Sequence, residues 1–180
     1  MKPIVTTPNA VLIKPASPVE KIDAKILSLI KDMQDTLIIA DNPKGVGLAT
    51  PQVGISLRIF LMRPEENGPI RILVNPTYVQ KSKQIVKGIP GSDHRLEGCL
   101  SIPKVWGMVH RQAWVTLAYL DETEQKHQEK FTGFEAIIVQ HEMDHLDGIL
   151  FSRRVIEQKG KLYQPGVDDD GKEILEPLEI

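Results

Sequence analysis

The sequence predicts a single domain of the α+β class, residues 1–180, with mixed or antiparallel sheets around a buried central helix. Three observations favour this class. A long helical pattern lies near the N-terminus, alternating apolar segments follow it, and a second, strongly apolar helix comes after those segments. Strands grouped between helices indicate segregated elements rather than regular βαβ units. The 180 residues fit one domain that is large enough to bury a core.

Composition excludes several functional classes. With 22 Lys and Arg against 24 Asp and Glu, the formal net charge of −2 offers no electrostatic basis for binding nucleic acid or a membrane surface. No segment approaches the roughly 18 consecutive apolar residues that would span a bilayer, and the N-terminal segment lacks the apolar core of a secretory signal. The single cysteine, Cys99, excludes an intramolecular disulfide, so we expect a reducing compartment, most simply the cytoplasm.

The first helix is predicted to begin after Ser17, which is a favourable N-cap residue. Pro18 suits the first helical position, and Glu20 completes a capping box. Apolar residues then recur at three- and four-residue spacing as far as Leu37, which predicts one buried face. The segment 42–45, Asn-Pro-Lys-Gly, is expected to end the helix.

The middle of the chain predicts several strands and two loops. Residues 45–54, GVGLATPQVG, are too rich in Gly and Pro for a regular element, so we expect an ordered loop there. Residues 87–95 are expected to form a second loop. Strands are predicted at residues 55–62, 70–74, 78–86 and 108–120, and around residue 130.

The second helix is predicted to begin at Thr132, with Glu135 as its capping-box partner, and to end at Gly148. Its first half is nearly all apolar, which predicts deep burial of the helix. The acidic tail, residues 159–180, is expected to form a solvated turn, including 168–170, and a short terminal strand.

The strongest chemical signal is HEMDH at residues 141–145. His141 and His145 are four residues apart on one helix face, so both imidazoles can bind one metal ion. Glu142 lies about 100° around the helix, where it can reach a water on the metal without being a ligand. The cation lowers the pKa of that water and the carboxylate accepts its proton. A chance match on a polar helix face is the alternative, and the apolar residues before the motif argue against it.

A catalytic metal of this kind usually has three protein ligands and one open position. The metzincin pattern would place the third ligand at position 151, which is Phe151. The downstream glutamates are not convincing ligands: Glu157, Glu173, Glu176 and Glu179. Cys99, in EGCLSIP at 97–103, is the remaining candidate, because a thiolate beside two imidazoles would coordinate the metal. A buried apolar cysteine and a nucleophilic Cys–His pair remain as alternatives.

Three segments together resemble the motifs of the peptide deformylase family, in the family's order: GVGLATPQVG at 45–54, EGCLSIP at 97–103 and QHEMDHLDG at 140–148. The resemblance covers about residues 4–155 and leaves out the tail. It implies a deformylase-like fold around the HExxH helix. It also implies the function of the family, which is removal of the formyl group from the N-terminal formyl-methionine of newly synthesised proteins, with release of formate.

The resemblance implies a role for each matching residue. Cys99, His141 and His145 would bind one divalent metal ion, iron(II) in the native protein, with zinc, nickel and cobalt as alternatives. Glu142 would act as general base and then as general acid. The partners would be N-formyl-methionyl nascent peptides at the ribosome.

Further residues are implied to bind and polarise the substrate. The side chain of Gln52 and the backbone N–H of Leu100 would stabilise the formyl oxygen as it becomes an oxyanion. The substrate backbone would pair like an added strand beside Val46 and Gly47. The remaining implied contacts are Gly98 and, in the methionine pocket, Ile137 and Ile138.

Two residues depart from the family's usual pattern, one within the first motif and one three residues after EGCLSIP. Thr50 stands where alanine is usual, and we expect its hydroxyl to form a local hydrogen bond. Trp106 stands where the family often has arginine or another residue that lines the cleft. It would either pack in the core or at the rim, or face the residues after the methionine. Two other functions compete with deformylation: an HExxH metalloendopeptidase, and an inactive relative that binds peptides.

Overall fold

A computed structural model describes residues 1–41, 44–91, 95–168 and 171–179. Over these residues the chain forms antiparallel strands and three α-helices, which confirms the α+β class. The helices are α1 (Ala24–Ile39), α2 (Gly133–Leu146) and α3 (Phe151–Glu157), and short 3-10 helices span Ala10–Ile13 and Thr50–Val53. The strands are β1 (Gly47–Ala49), β2 (Ile59–Met62), β3 (Arg71–Lys81), β4 (Ile85–Lys87), β5 (Glu97–Cys99), β6 (Ile102–Gly107), β7 (His110–Gln112), β8 (Trp114–Leu120), β9 (Lys126–Thr132), β10 (Leu162–Val167) and β11 (Glu173–Pro177).

The strands of the described residues form two larger sheets and one pair. The five-stranded sheet has the order β1-β2-β3-β8-β9, and the four-stranded sheet has the order β11-β10-β6-β5. Strands β4 and β7 form the remaining pair. The short strands β1 and β5 therefore each lie at an edge of their sheet, and both carry residues of the predicted motifs.

The five-stranded sheet is covered on both faces. Phe60 and Met62 of β2 point to one side, where they join a buried cluster with α2. Ile59 and Leu61 alternate to the other side and join a cluster with α1. Because both faces are buried, β2 is apolar throughout instead of alternating between apolar and polar residues. Helix α2 is likewise buried along most of its length, as its apolar sequence predicts.

The first helix begins later than predicted, so its predicted start is wrong. The N-cap of α1 is Asp23, whose carboxylate accepts hydrogen bonds from the backbone N–H groups of Lys25 and Ile26 at 2.9 and 3.0 Å. Ser17 instead lies in extended chain, where its N–H donates to the carbonyl of Ser56 at 3.1 Å. Helix α1 ends at Ile39, and the predicted stop residues 42 and 43 lie outside the described residues.

Tertiary contacts hold the segment before α1 in its extended form. The Asn75 side chain accepts a hydrogen bond from the N–H of Val19 at 2.7 Å and donates to the Val19 carbonyl at 2.8 Å. The carbonyl of Ser17 also accepts from the N–H of Arg58 at 2.8 Å. These long-range bonds satisfy the backbone groups that a helix would otherwise pair, so the local capping signal at Ser17 has no effect.

Several predicted strand boundaries are also wrong. The supposed loop 45–54 contains β1 and a 3-10 helix, and the strand predicted from residue 55 begins at Ile59. Strand β3 joins two predicted strands by continuing from Arg71 to Lys81. The strand predicted at 108–120 is divided at Ala113, whose N–H donates to the carbonyl of Gln84 outside either strand. In the predicted loop 87–95, residues 92–94 lie outside the described residues.

The second helix and the tail show one further difference. Thr132 is the N-cap of α2, as predicted, but its side chain makes no capping hydrogen bond, so the capping box with Glu135 is wrong. Gly148 lies just after the C-cap, with a φ of 70° that suits glycine.

The tail forms two strands, β10 and β11, which pair as a hairpin, and residues 169 and 170 of its acidic turn lie outside the described residues. No helix in the described part of the chain is long and apolar enough to cross a membrane.

The cap of α1 gives a direct test of this fold. Replacing Asp23 with Ala leaves two N–H groups of the first turn without their carboxylate acceptor, so we expect the melting temperature to fall by a few degrees. Ser17→Ala is the matched control, because the Ser17 side chain is exposed and does not cap a helix. Thermal unfolding followed by circular dichroism measures both variants. A larger loss in Ser17→Ala than in Asp23→Ala would contradict the placement of the helix start.

Candidate metal centre and active site

Strand β5 and helix α2 bring the three predicted metal ligands together. Cys99 ends β5, and its Sγ lies 3.2 Å from Nε2 of His145 on α2. One ligand atom from each of Cys99, His141 and His145 lies within 4.8 Å of the other two. Cys99 and His145 are almost completely buried, although they are 46 residues apart in the chain. This cluster is able to hold one metal ion.

The chemistry of the cluster fits a divalent transition metal. A thiolate and two imidazoles are donors that such cations prefer. Burial lowers the pKa of His145, which keeps its imidazole in the neutral form that binds metals. Burial alone would also lower the pKa of His141, but its contacts with Cys99 and Glu97 outweigh burial and raise that pKa. The Nδ1 atom of His145 is buried and has no hydrogen-bond partner among the described residues.

A buried carboxylate orients the second imidazole. Nδ1 of His141 lies 2.9 Å from Oε2 of Glu97, so Nε2 is left to face the ligand cluster. Metal-binding histidines commonly use such a carboxylate to fix the tautomer and the orientation of the ring. Arg111 in turn donates two hydrogen bonds to Glu97, at 2.6 and 2.8 Å. Burial would raise the pKa of Glu97, but the charge of Arg111 lowers it to about 2. Glu97 is therefore a carboxylate.

The Glu142 carboxyl group lies next to the ligands but has a different environment. Its side chain is 3% exposed, and burial raises its pKa to about 7. One of its oxygens, Oε2, is buried without a hydrogen-bond partner among the described residues. A Cβ atom on Gly47 would overlap this carboxyl group, so only glycine leaves room for Glu142 at that point of β1. A carboxyl group with a pKa near neutrality is suited to accept and return a proton.

Gln52 is held in place by the 3-10 helix that follows β1. Its Oε1 accepts a hydrogen bond from the N–H of Ala49 at 2.8 Å, which leaves Nε2 free to point toward the cluster, 3.5 Å from Sγ of Cys99. The single proton of the Thr50 hydroxyl is shared between the nearby backbone carbonyls of Leu57 and Ile59, which is the local bonding expected. These bonds fix the loop and present an amide donor beside the ligands.

A cavity of about 220 Å³ opens in front of the cluster. It is lined by ten of the eleven predicted site residues, while His145 lies buried behind them. These ten are Val46, Gly47, Gln52, Gly98, Cys99, Leu100, Ile137, Ile138, His141 and Glu142. Strands β1 and β5, each at an edge of its sheet within the described part of the chain, both contribute residues to this lining. Trp106 also lines the cavity and is therefore part of the cleft rather than the core.

Sequence reasoning did not identify several residues of the site. Phe134 lines the cavity from one helical turn before Ile137 and Ile138, and its helical spacing could have indicated this position. Glu97 lies within EGCLSIP, where a carboxylate two residues before the proposed ligand is a usable signal. Arg111 had no signal, because its pairing with Glu97 depends on the antiparallel arrangement of distant strands. Ile89 and Leu96 likewise line the cavity from a segment that shows no motif.

Comparison with known proteins gives a consistent result. A family model described as polypeptide deformylase matches residues 1–161. A peptide deformylase of Pseudothermotoga lettingae is 41% identical over 143 residues, which are 79% of this chain and 76% of that protein. A peptide deformylase of Chlorobium luteolum is 38% identical over 172 residues, which are 93% of this chain and 85% of that protein.

Solved structures show the same relationship. The peptide deformylase of Synechococcus elongatus in complex with actinonin has a TM-score of 0.76 and 34% identity, and covers 85% of this chain and 79% of its own. A class I type b peptide deformylase of Acinetobacter baumannii with bound Met-Ala-Ser has a TM-score of 0.75 and 33% identity, and covers 86% and 98%. The match to the family model and these relatives show that the chain belongs to the peptide deformylase family.

Proposed function

We propose that this deformylase acts on N-formyl-methionyl peptides at a metal ion bound by Cys99, His141 and His145. One observation carries the proposal. The three ligands lie within 4.8 Å of one another, and Cys99, His141 and Glu142 line an apolar cavity to which the edge strands β1 and β5 also contribute. A fourth protein ligand is not needed in this arrangement, which is typical of catalytic rather than structural sites.

The metal is expected to be iron(II), as in the family, with zinc, nickel or cobalt as substitutes that the same donors can bind. When bound, such a cation polarises a carbonyl oxygen and makes a water molecule more acidic. The thiolate of Cys99 and the neutral imidazole of His145 would bind it directly. Glu97 would keep the ring of His141 in the ligating orientation.

Glu142 has the position and the proton affinity of a general base. With a pKa of about 7 it accepts the proton of the attacking water and then gives a proton to the leaving amine. Its buried carboxyl group is kept close to the ligands by Gly47, which has no side chain to displace it. The same group therefore serves both proton transfers without a large movement.

Two donors are proposed to stabilise the oxygen of the formyl group. The Nε2 group of Gln52 points toward the ligands because its amide oxygen is already bonded to Ala49. The N–H of Leu100 comes from the residue directly after Cys99, at the cavity wall. Fixed donors of this kind stabilise the charge that develops on the oxygen in the transition state.

The substrate is proposed to enter as an additional strand. Val46 and Gly47 on one side and Gly98 on the other offer backbone groups at the two sheet edges. The methionine side chain would occupy the apolar part of the cavity beside Ile137 and Ile138. The Acinetobacter baumannii relative, whose structure contains Met-Ala-Ser, supports a peptide that begins with methionine. Nascent chains at the ribosome are the expected source, and a cytoplasmic location stays a prediction from the sequence.

Neither alternative function is supported. The family match and the named relatives are deformylases, not metalloendopeptidases. A relative that only binds peptides would not need Glu142, yet this group is buried beside the ligands with a raised pKa. Formate release is therefore the activity to be measured.

The ligand set is tested by Cys99→Ser. A hydroxyl is a poor replacement for a thiolate toward these metals, so the purified variant should hold much less than one metal ion per chain and lose activity in proportion. The matched control is His127→Ala, which removes an imidazole that stacks on Tyr119 and lies 2.6 Å from Asp121, and that is not part of the ligand cluster. Elemental analysis after anaerobic purification measures both. Full occupancy in Cys99→Ser would remove Cys99 from the ligand set.

The role of Glu142 is tested by Glu142→Gln. The amide keeps the shape of the side chain but cannot accept the proton, so kcat should fall by roughly 10²–10⁴ while the metal content is unchanged. Glu135→Gln makes the same chemical change on the same helix at a partly exposed position, and it should retain the rate. Loss of the metal in Glu142→Gln would show that this carboxylate is a ligand instead.

The substrate assignment is tested with matched formyl-Met and acetyl-Met peptides. The formyl group fits between the ligands, Gln52 and Leu100, whereas the extra methyl of an acetyl group meets the crowded side occupied by Glu142. We expect kcat/KM to be much larger for the formyl series and low when the first residue is charged. A formate-release assay on the iron or cobalt protein measures the rate on the formyl peptides. An assay for the released amine measures the rate on the acetyl peptides. Equal rates on both acyl groups would overturn the deformylase proposal.

A further inference from the structure

We propose that the N-terminal segment, residues 5–16, is a positioning element for the two donors that face the formyl oxygen, Gln52 and Leu100. None of its residues is among the described residues that line the cavity, so it would act on turnover through these donors and not by touching the substrate. The inference rests on the proposed function, because the oxyanion roles of Gln52 and Leu100 are part of that proposal.

Three backbone hydrogen bonds join the N-terminal segment to the three motif segments of the sequence. In each bond an N–H group of the N-terminal segment donates to a carbonyl group within one motif. The three bonds run from Val5 to Gln52 at 2.8 Å, from Thr7 to Ser101 at 3.0 Å and from Ala16 to Leu146 at 2.8 Å. One short stretch of chain therefore connects all three motifs.

The bond from Val5 completes the fixation of the Gln52 amide donor. Gln52 belongs to a 3-10 helix of only four residues, Thr50–Val53, and so short a helix has few internal hydrogen bonds to hold it. The residue is 2% exposed, so its carbonyl needs a partner from the protein, which Val5 supplies. Cγ2 of Val5 also lies 3.5 Å from where Gly54, at the end of this helix, would carry a Cβ atom. Since its Oε1 is bonded to Ala49, Gln52 is held through both its backbone and its side chain.

The bond from Thr7 holds the second donor in a similar way. Leu100 and Ser101 form the turn between β5 and β6, because Cys99 pairs with Ile102. The hydroxyl of Ser101 is buried and makes no hydrogen bond among the described residues, so the side chain gives this turn no polar anchor. The carbonyl of Ser101 is anchored instead by the N–H of Thr7. The orientation of the turn, and with it the N–H of Leu100, therefore depends on the N-terminal segment.

The other end of the N-terminal segment is fixed to the helix that carries the histidines. Leu12 is completely buried and anchors the middle of the segment. A Cβ atom on Gly148 would come within 2.7 Å of the backbone of Lys14, so the segment passes directly over the end of α2. Its last bond reaches Leu146, the residue after His145. A segment that is anchored at α2 and bonded beside both donors fixes the donors relative to the metal ligands.

The experiment removes single N–H groups by proline substitution, because proline has no backbone N–H. Val5→Pro removes the bond to Gln52, and Thr7→Pro removes the bond to Ser101. Thr6→Pro is the matched control, since the Thr6 N–H makes no hydrogen bond within the described part of the chain. With formyl-Met-Ala-Ser as the substrate, kcat should fall roughly tenfold in Val5→Pro and in Thr7→Pro, because displaced donors stabilise the transition state less well. KM and metal content should not change, and Thr6→Pro should keep the full kcat.

A double-mutant cycle separates positioning from a general loss of structure. In Gln52→Ala the amide donor is already absent, so adding Val5→Pro should lower kcat by less than about twofold further. Adding Thr7→Pro should keep its effect, because it acts through Leu100. An equal loss from Val5→Pro in both backgrounds, or a loss of the same size in Thr6→Pro, would overturn the inference.

Amide hydrogen exchange tests the same bonds in the unchanged protein, so the inference can be refuted even where a proline variant does not fold. The amides of Val5 and Thr7 should be protected, and the amide of Thr6 should exchange at the rate of an exposed group. Nuclear magnetic resonance measures the three rates. Fast exchange at both Val5 and Thr7 would show that the segment is not held against the motifs, and would overturn the inference.

The outcomes also distinguish this inference from the proposed function. Full kcat in Val5→Pro and Thr7→Pro, together with a low kcat in Gln52→Ala, would refute positioning by the N-terminal segment and leave the proposed function intact. Full kcat in Gln52→Ala would instead refute the proposed oxyanion role of Gln52. Absence of formate release by the unchanged protein would refute the proposed function itself.

Discussion

Arg111 is a guanidinium buried between carboxylates of two different elements, and the geometry of the metal ligands depends on it. On β7, it donates to Glu97 of β5 and, at 3.0 Å, to Asp144 of α2. Arg154 of α3 donates to the other oxygen of Asp144 at 2.7 Å. Removing one partner of such a buried pair leaves an uncompensated charge, which typically costs about 3–5 kcal/mol. The network thus joins the strand that carries Cys99 to the helix that carries both histidines.

The sequence could predict what is encoded locally or in a dense motif. The apolar first half of α2 predicted a buried helix, and the histidine spacing predicted two ligands on one face; the structure confirms the burial and brings both histidines together. The ligand set needed the family resemblance as well, because Cys99 is distant from α2 in the chain. The start of α1 was predicted incorrectly, since Ser17 and its neighbours have good capping chemistry but are held extended by Asn75. Arg111 was not predictable, because strand register brings it to Glu97.

Strands β1 and β5 are each held on one side by a neighbouring strand, and each is at an edge of its sheet on the other side. Strand β2 is buried on both faces between α1 and α2, so the adjacent strand β1 is fixed along one side while its other side remains available. Strand β5 is supported in the same way by β6. The peptide proposed to bind between them would complete backbone hydrogen bonds without any unfolding of the protein, which would reduce the conformational entropy lost on binding. The polar side chains that line the cavity include Gln52, His141 and Glu142 around Cys99, and the rest of the lining is largely apolar.

The position of Cys99 has a consequence for oxidative damage. As the only cysteine of the chain, it has no internal partner with which a sulfenic acid could condense to a disulfide. Oxidation of its sulfur would therefore remove a metal ligand, and recovery would require a thiol from another molecule. Its 2% exposure restricts access to the cavity side, where a bound metal and peptide would shield the thiolate. The enzyme without bound substrate would therefore lose activity through irreversible oxidation of Cys99 more readily than the enzyme that holds a peptide.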